Sequence, residues 1–399
     1  MGNEFSISFL ESLLKDKSED EMVRHEAAEA LAAIGDEASI DTLAAFLDDA
    51  SVPVRETCEL GIARLKLKQK EGKKGEKEEK KAEKKEKKEE INEELNKDSN
   101  SDLNCEKNEM KFANFNSVDP SLPFAGCTDT DALSLYFILT DPQTSLAIRY
   151  RALFTLRDLR APAAVALLAA ALQHDSSSAL LRHELAFVLG QIRYPPAAAA
   201  AAAAPAPAAA AAPAPAAAAA GGEGREEFLA AAAAAAARRH AAAADAAAAA
   251  AAAATGGPPD AAAAAAATAA AAALLQRLDE EPEQQMVRHE AALALGSLAA
   301  AAEAAAAKLN PQKASQQLSL FCKTLSGEAN EDTNENAIQK LNQKVEDFHF
   351  QEKDAEKTMR EVILQALQKQ RHSSSRVVAE SCLVALWNVQ EELGIDCGV

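Results

Sequence analysis

Three of the seven histidines stand in one repeated frame, and each is directly followed by a glutamate. The frame reads apolar-Arg-His-Glu-x-Ala-x-x-Leu, and its doublets are His25-Glu26, His183-Glu184 and His289-Glu290. Imidazole and carboxylate groups without a thiolate suit non-heme iron or manganese better than structural zinc. The frame therefore predicts a metal site. The alternative is a His-Glu pair that was carried along when the repeat was duplicated.

The frame must lie on helices, because its apolar positions recur with helical spacing. Adjacent side chains on a helix diverge by about 100°, so both members of a doublet can meet one ion only if the helix end points at it. We expect the arginine before each histidine to satisfy acidic neighbours or helix termini and not to bind metal.

A fourth, degenerate copy of the frame begins at Ile148, and Tyr150 stands there in place of the histidine. Tyr150 and His183 are 33 residues apart. A second frame occurs twice, as Val54-Arg55-Glu56-Thr57-Cys58 and as Val378-Ala379-Glu380-Ser381-Cys382, each C-terminal to an Arg-His-Glu copy. A helix pair that recurs at this length buries its inner stripe only against its neighbours. The sequence thus predicts an all-α fold, an α-solenoid of helix-hairpin repeats interrupted by low-complexity insertions.

Abrupt changes in composition divide the chain into seven segments. Four have helical patterning and three are low-complexity insertions, which surface loops tolerate. The predicted segments are an N-terminal half (1–65), a charged linker (66–116), the first part of a C-terminal half (117–194), an Ala-rich insertion (195–272), a helix with the third doublet (273–300), a polar insertion (301–358), and a final repeat helix with a tail (359–399).

The net charge of −19 disfavours a nucleic-acid partner, which needs a basic face. The apolar runs are polyalanine and too weakly apolar to predict a membrane span. Six cysteines without a CxxC pair favour a reducing, cytoplasmic location, and we expect a monomer. Gly2 matches a loose myristoylation pattern that the sequence leaves open. The lone histidines are expected at the solvent-exposed surface: His174, His240, His349 and His372.

These residues resemble the deoxyhypusine hydroxylases, a family of HEAT-repeat di-iron enzymes. The resemblance rests on a set of segments in the family's order: Met22 to Gly35, Ser117 to Pro120, Arg149 to Leu156, Leu181 to Ile192, Met286 to Leu298 and Val377 to Cys382. It covers about half of the chain, and the low-complexity insertions have no counterpart in the family. It implies a HEAT-like solenoid in two halves, each giving ligands to one iron.

The resemblance implies that His183, His289 and Glu290 bind one Fe(II), and that Glu184 lies beside the metal and positions the substrate amine. His25 and Glu26 match the second doublet of the other iron site. The first doublet of that site falls before Met1 when the 33-residue repeat is counted backwards. A complete enzyme of the family holds two irons, and this chain is expected to hold only one of them at a complete site. An incomplete sequence of a working enzyme is favoured over a shorter protein with a broken centre.

The implied activity is a monooxygenase reaction that uses O₂ to hydroxylate a deoxyhypusine side chain on a translation initiation factor. Two alternatives stay open. One is a non-catalytic helical-repeat scaffold, and the other is a HEAT-like lyase that acts on tetrapyrrole-binding proteins.

Overall fold

The computed structural model describes residues 4–70, 118–192, 223–237, 259–300 and 358–399. Helices form the regular structure of these ranges, which confirms the all-α prediction. The chain divides into two compact units, Met1–Ser121 and Leu122–Val399. The predicted charged linker beyond residue 70, most of the two later insertions, Gly2, His240 and His349 lie outside the described residues.

The first unit consists of α1 (Glu4–Lys15), α2 (Glu21–Ile34), α3 (Ser39–Ala44) and α4 (52–70). Helix α2 begins after Asp20, whose carboxylate accepts a hydrogen bond from the amide of Met22. It ends at Gly35, whose φ of 85° favours glycine. The buried faces of these helices form one apolar core, which includes Leu14, Ala28, Leu31, Leu43, Val54, Cys58 and Leu65.

The second unit begins with a short 3₁₀ turn (Asp129–Asp131), and nine helices are described in it. They are α5 (Ala132–Thr140), α6 (Leu146–Leu159), α7 (Pro162–His174), α8 (Ala179–Gln191), α9 (Glu223–Ala237), α10 (Pro259–Asp279), α11 (Gln285–Ala300), α12 (Met359–Gln370) and α13 (Arg376–Leu393). Within this unit α8 packs on α11, and α11 packs on α13. None of the described helices combines the length and apolar character needed to cross a bilayer.

Part of the predicted Ala-rich insertion belongs to the folded unit. Helix α10 begins at Pro259, and its alanines from Ala266 to Ala273 include buried side chains packed on α7. On α9, the ring of Phe228 lies 5.6 Å from that of Phe124. A polyalanine helix has little area to bury alone. Here the facing helix α7 is also alanine-rich, so the two backbones approach closely and even small side chains are covered.

The arginine of the frame closes the preceding helix. In three copies its Nε donates to the carbonyl ten residues earlier: Arg24 to Leu14 at 3.1 Å, Arg149 to Leu139 at 2.7 Å and Arg288 to Leu278 at 3.0 Å. The carbonyls at a helix end have no partner within the helix, so each bond satisfies one of them. The prediction that these arginines serve helix termini and acidic neighbours is confirmed.

The same guanidinium groups reach the following turn. Arg24 binds both carboxylate oxygens of Asp49 at 3.1 and 2.6 Å, and Arg149 binds Asp175 at 2.7 Å. The copy in α8 differs, because Arg182 pairs with Glu283. The carbonyl of Leu172, ten residues before Arg182, is bound by Arg277 of α10. Each ion pair thus links a helix to a turn of the next helical hairpin.

Small residues let the doublet helices approach one another. A Cβ added to Gly190 on α8 would stand 2.8 Å from the Cα and Cβ of Ala294 on α11. A Cβ on Gly296 of α11 would stand 2.9 Å from the Cβ of Ala385 on α13. Gly190 and Gly296 each follow the doublet histidine by seven residues, or two helical turns. The close contacts therefore lie on the same side of the helix as the histidines.

Candidate metal centre

Two helices bring three candidate ligands of the second unit together. The Nε2 atom of His183, on α8, lies 3.7 Å from Oε2 of Glu290, on α11. The Nε2 atom of His289 lies 4.0 Å from the same oxygen. His183 and Glu290 are buried, whereas 30% of the His289 side chain is exposed. Two imidazole nitrogens thus converge on one carboxylate oxygen at the edge of solvent.

The environment of His289 favours the neutral form of its imidazole. Burial lowers its pKa, because desolvation disfavours the charged form. Its second ring nitrogen, Nδ1, lies 2.7 Å from the hydroxyl oxygen of Ser381 on α13. A neutral imidazole with a free lone pair is the form that binds a metal ion. Ser381 is not among the ligands predicted from the sequence, although it belongs to the second repeated frame.

The donor set fits a first-row metal ion. Two imidazoles and one carboxylate are the ligands of the facial triad found in non-heme iron sites. Metal–ligand bonds of about 2.0–2.2 Å place neighbouring ligand atoms of one ion about 3–3.6 Å apart, so the two separations here, 3.7 and 4.0 Å, are slightly wider than in a bound site. In the described parts of the chain, no group of three or more His, Cys, Asp or Glu side chains is arranged as it stands to hold a metal ion. The ligand types match such an ion, and the three groups would have to move slightly closer together to bind it.

Glu184 adds a buried carboxylate to this region. It follows His183 on α8, and only 3% of the residue is exposed. Burying a carboxylate costs free energy unless a cation or hydrogen-bond donors compensate its charge. Its placement beside a candidate ligand is compatible with a cationic group of a substrate.

The first unit carries the doublet His25-Glu26 on α2. His25 is buried at 1% exposure, whereas 62% of the Glu26 side chain is exposed, and their Nε2 and Oε1 atoms lie 3.7 Å apart. One turn later, Glu29 is a partly buried acid that the sequence did not single out. Burial, together with the Glu26 and Asp119 carboxylates, raises its pKa to about 7 against the opposing charge of Arg64. The incomplete ligand set expected for this half stays a prediction.

The remaining histidines that the structure describes are peripheral. His174, at the end of α7, and His372, between α12 and α13, are both exposed, which agrees with their prediction as surface residues.

Comparison with known proteins supports the repeat assignment. Residues 1–63 match the family of HEAT repeats, and residues 148–174 match the PBS lyase HEAT-like repeat. The fold shown by these matches and by the helical hairpins is the predicted HEAT-like α-solenoid. The second match covers the degenerate copy with Tyr150, which has no His-Glu doublet.

The chain is also similar to curated deoxyhypusine hydroxylases, which confirms the resemblance read from the doublets. It is 38% identical to the protein of Chaetomium globosum over 201 residues, 48% of this chain and 49% of that protein. It is 35% identical to the protein of Saccharomyces cerevisiae over 189 residues, 47% of this chain and 48% of that protein. The chain spans about half the length of the curated relatives it matches.

A solved structure, that of human deoxyhypusine hydroxylase in complex with glycerol, shares the fold. The TM-score is 0.51 at 23% sequence identity, and the match covers 98% of this chain and 75% of the human chain.

Proposed function

We propose that this protein works as a deoxyhypusine hydroxylase, which hydroxylates a deoxyhypusine side chain of a translation initiation factor with O₂. The observation that carries the proposal is the convergence of His183 and His289 on Glu290. The similarity to curated deoxyhypusine hydroxylases supports the choice of reaction. The protein factor is the proposed partner, with the enzyme acting in the cytoplasm as a monomer and without nucleic acid.

The proposed cofactor is Fe(II), two ions in a complete enzyme. His183, His289 and Glu290 would hold one ion, and His25 and Glu26 would give ligands to the other. Bound iron supplies the reduction of O₂ that makes an unactivated C–H bond reactive. The imidazole of His289 is suited to this role. Because its pKa is lowered, it gains a proton only at a lower pH than an exposed histidine does.

The protein's own residues position the substrate. We assign Glu184 to the cationic amine of the deoxyhypusine side chain, since a buried carboxylate on the same helix as a ligand attracts and orients a cation. The net charge of −19 favours the approach of such a substrate. The close contacts of Gly190 and Gly296 keep the ligand helices rigid, which holds the reacting groups in place.

The test combines iron content with product formation. The full chain, loaded anaerobically with Fe(II), is incubated in air with a factor that carries deoxyhypusine, and the factor is analysed by mass spectrometry. We expect bound iron and a gain of one oxygen atom on the modified lysine. Replacement of Glu184 by Gln is expected to keep the iron and lower the reaction rate. Protein that binds no iron after loading would contradict the proposal.

A scaffold without catalysis predicts a different result, namely a stable complex with the factor, no iron and no product. The match to the PBS lyase HEAT-like repeat covers residues 148–174, a single helical hairpin, so it supports the repeat unit and does not by itself support lyase chemistry.

A further inference from the structure

The second frame of the sequence, Val-x-Glu-Ser/Thr-Cys, has a structural counterpart beside the doublets. In both copies its valine and cysteine are fully buried core residues: Val54 and Cys58 on α4, Val378 and Cys382 on α13. Its hydroxyl residue is also buried, at 3% exposure for Thr57 and 5% for Ser381. The hydroxyl residue precedes by four residues Gly61 on α4 or Ala385 on α13, the positions that contact the doublet helix, so it lies on that side of its own helix.

In the second unit the hydroxyl contacts a doublet histidine directly. The Oγ of Ser381 lies 2.7 Å from Nδ1 of His289 and 2.6 Å from the carbonyl oxygen of Val377. A serine hydroxyl has one hydrogen, and a carbonyl oxygen can only accept. Ser381 therefore donates to Val377 and accepts from His289. The proton of the neutral imidazole lies on Nδ1, and the lone pair lies on Nε2, the atom nearest Glu290.

The first unit repeats the same packing of two helices. Ala32 follows His25 by seven residues, as Gly296 follows His289. Gly61 follows Thr57 by four residues, as Ala385 follows Ser381. A Cβ on Gly61 would stand 2.9 Å from the Cβ of Ala32, which matches the 2.9 Å contact between the Gly296 and Ala385 positions.

The same glycine–alanine contact thus occurs in both units. The glycine is on the doublet helix in the second unit and on the following helix in the first. Because the contact and the spacings agree, α2 and α4 are packed in the same register as α11 and α13. By this register we expect Thr57 to face His25 as Ser381 faces His289. The Oγ1 of Thr57 is buried and, among the described residues, has no hydrogen-bond partner. A buried hydroxyl that makes no hydrogen bond destabilises the folded protein, which favours a role for it in binding a neighbouring group.

We propose that one hydroxyl on the next repeat helix selects the tautomer of the second doublet histidine in each unit, Ser381 for His289 and Thr57 for His25. Both are positioning residues that present Nε2 as the metal-binding atom. The assignment deepens the proposed function and rests on it where it concerns metal. Outer hydrogen bonds to metal-binding histidines fix tautomer and ring orientation, and their loss typically lowers metal affinity 10–100-fold.

The tautomer is measured first, on the metal-free full chain labelled with ¹⁵N-histidine, by long-range ¹H–¹⁵N correlation. At about pH 8.5, two units above the ordinary histidine pKa of about 6.5, the rings are neutral. We expect the Nδ1–H form for His289, with its signals assigned by their loss in His289→Gln. Ser381→Thr keeps the hydroxyl and is expected to keep this form, whereas Ser381→Val matches the threonine in shape and is expected to lose it.

The same pair of changes tests the first unit. Thr57→Ser is expected to keep the Nδ1–H form of His25 and Thr57→Val to lose it. Ser39→Ala removes another buried serine hydroxyl and serves as the control, with both histidines unchanged. Thermal unfolding shows whether each variant is folded. If Ser381→Val is not folded, the less crowded Ser381→Ala replaces it.

Metal affinity is measured second, with Co(II) as the probe. Ser381→Val is expected to weaken binding about 10–100-fold, and Ser381→Thr to leave it near wild type. A wild-type His289 in the Nε2–H form, or an unchanged tautomer in the valine and alanine variants, would overturn the inference. A changed tautomer with unchanged Co(II) affinity would overturn the positioning role. Wild-type protein that binds no metal but shows the Nδ1–H form contradicts the proposed function and leaves the tautomer selection standing.

Discussion

The Nε2 of His183 and the Oε2 of Glu290 lie 3.7 Å apart, although the alanine-rich tract lies between these residues in the chain. The contact depends on α8 and α11 packing side by side, with Gly190 against Ala294 two turns further along. The candidate centre thus depends on the packing of α8 on α11, and the alanine-rich tract between them in the chain does not prevent that packing.

Replacing Glu290 by Gln is expected to weaken Co(II) binding by more than about 100-fold. The change keeps the shape of the side chain and removes the charge on which both imidazoles converge. Loss of an outer hydrogen bond alone costs 10–100-fold, so loss of a direct ligand should exceed that range. Isothermal titration of the full chain measures the affinity. His372→Gln, which changes an exposed histidine, is the control, and an affinity within threefold of wild type for Glu290→Gln would rule out its role as a ligand.

Replacing Gly190 by Ala is expected to destabilise the second unit by about 1–3 kcal/mol, the usual cost of overpacking a close contact. The added Cβ meets the Cα of Ala294 at 2.8 Å, and backbone cannot rotate away as a side chain does. The single tryptophan, Trp387 on α13, reports unfolding of this unit in urea. Metal affinity should fall in parallel, because the helices that carry His183 and Glu290 move apart.

The double variant Gly190→Ala with Ala294→Gly is the matched control for this prediction. Gly190→Ala adds one methyl group to the interface and Ala294→Gly removes another, so part of the lost stability should return. Full recovery is not expected, because glycine inside a helix costs about 0.5–1 kcal/mol relative to alanine. Additive destabilisation by the two changes would show that Gly190 and Ala294 are not in contact.

Replacing Asp49 by Asn is expected to destabilise the first unit by about 2 kcal/mol near neutral pH, since a charged hydrogen-bonded pair becomes a weaker one. The Arg24 guanidinium lowers the pKa of Asp49 below its ordinary value. A lowered pKa stabilises the folded state above the unfolded value of about 3.9, and this contribution is lost as the pH falls through the folded pKa. The difference between variant and wild type should therefore be largest above about pH 5 and narrow below about pH 4.

Hydrogen exchange of the α2 and α4 amides measures this difference, because the first unit has no tryptophan. Lys15→Gln is a suitable control, since Lys15 forms an exposed ion pair with Glu11 within one helix. A gap between Asp49→Asn and wild type that stays constant from pH 7 to pH 3 would show that the ion pair with Arg24 does not contribute.

Cys58 and Cys382 are expected to resist alkylation in the folded protein. Both are fully buried, and desolvation raises the pKa of each thiol to about 12. At pH 8 a thiol with that pKa is ionised in about one molecule in ten thousand, and the thiolate is the reactive form. Peptide mapping after brief iodoacetamide treatment should find Cys127, which is partly exposed, modified before Cys58 and Cys382. Modification of Cys58 at the rate of Cys127 would show that the α2–α4 core opens readily.

The sequence by itself determined the helices and the side chains that they carry on each face. The doublets, the arginines before them and the apolar positions recur within single helices, where side-chain direction follows from a period of 3.6 residues. The roles of Arg24 and Arg149 at helix ends could be predicted for the same reason, because the carbonyl that each one binds lies only ten residues away. Local geometry decides such contacts, and a local pattern reveals them.

The tertiary structure decided which helices meet. The hydrogen bond between Ser381 and His289 joins two helices separated by a long insertion, and it depends on the depth at which Gly296 and Ala385 pack. Helix α10 likewise becomes part of the core only because α7 offers an equally small surface, while the isolated alanine tract has too little area to bury. Packing between helices depends on the shapes of both surfaces together, which periodicity within one segment does not contain.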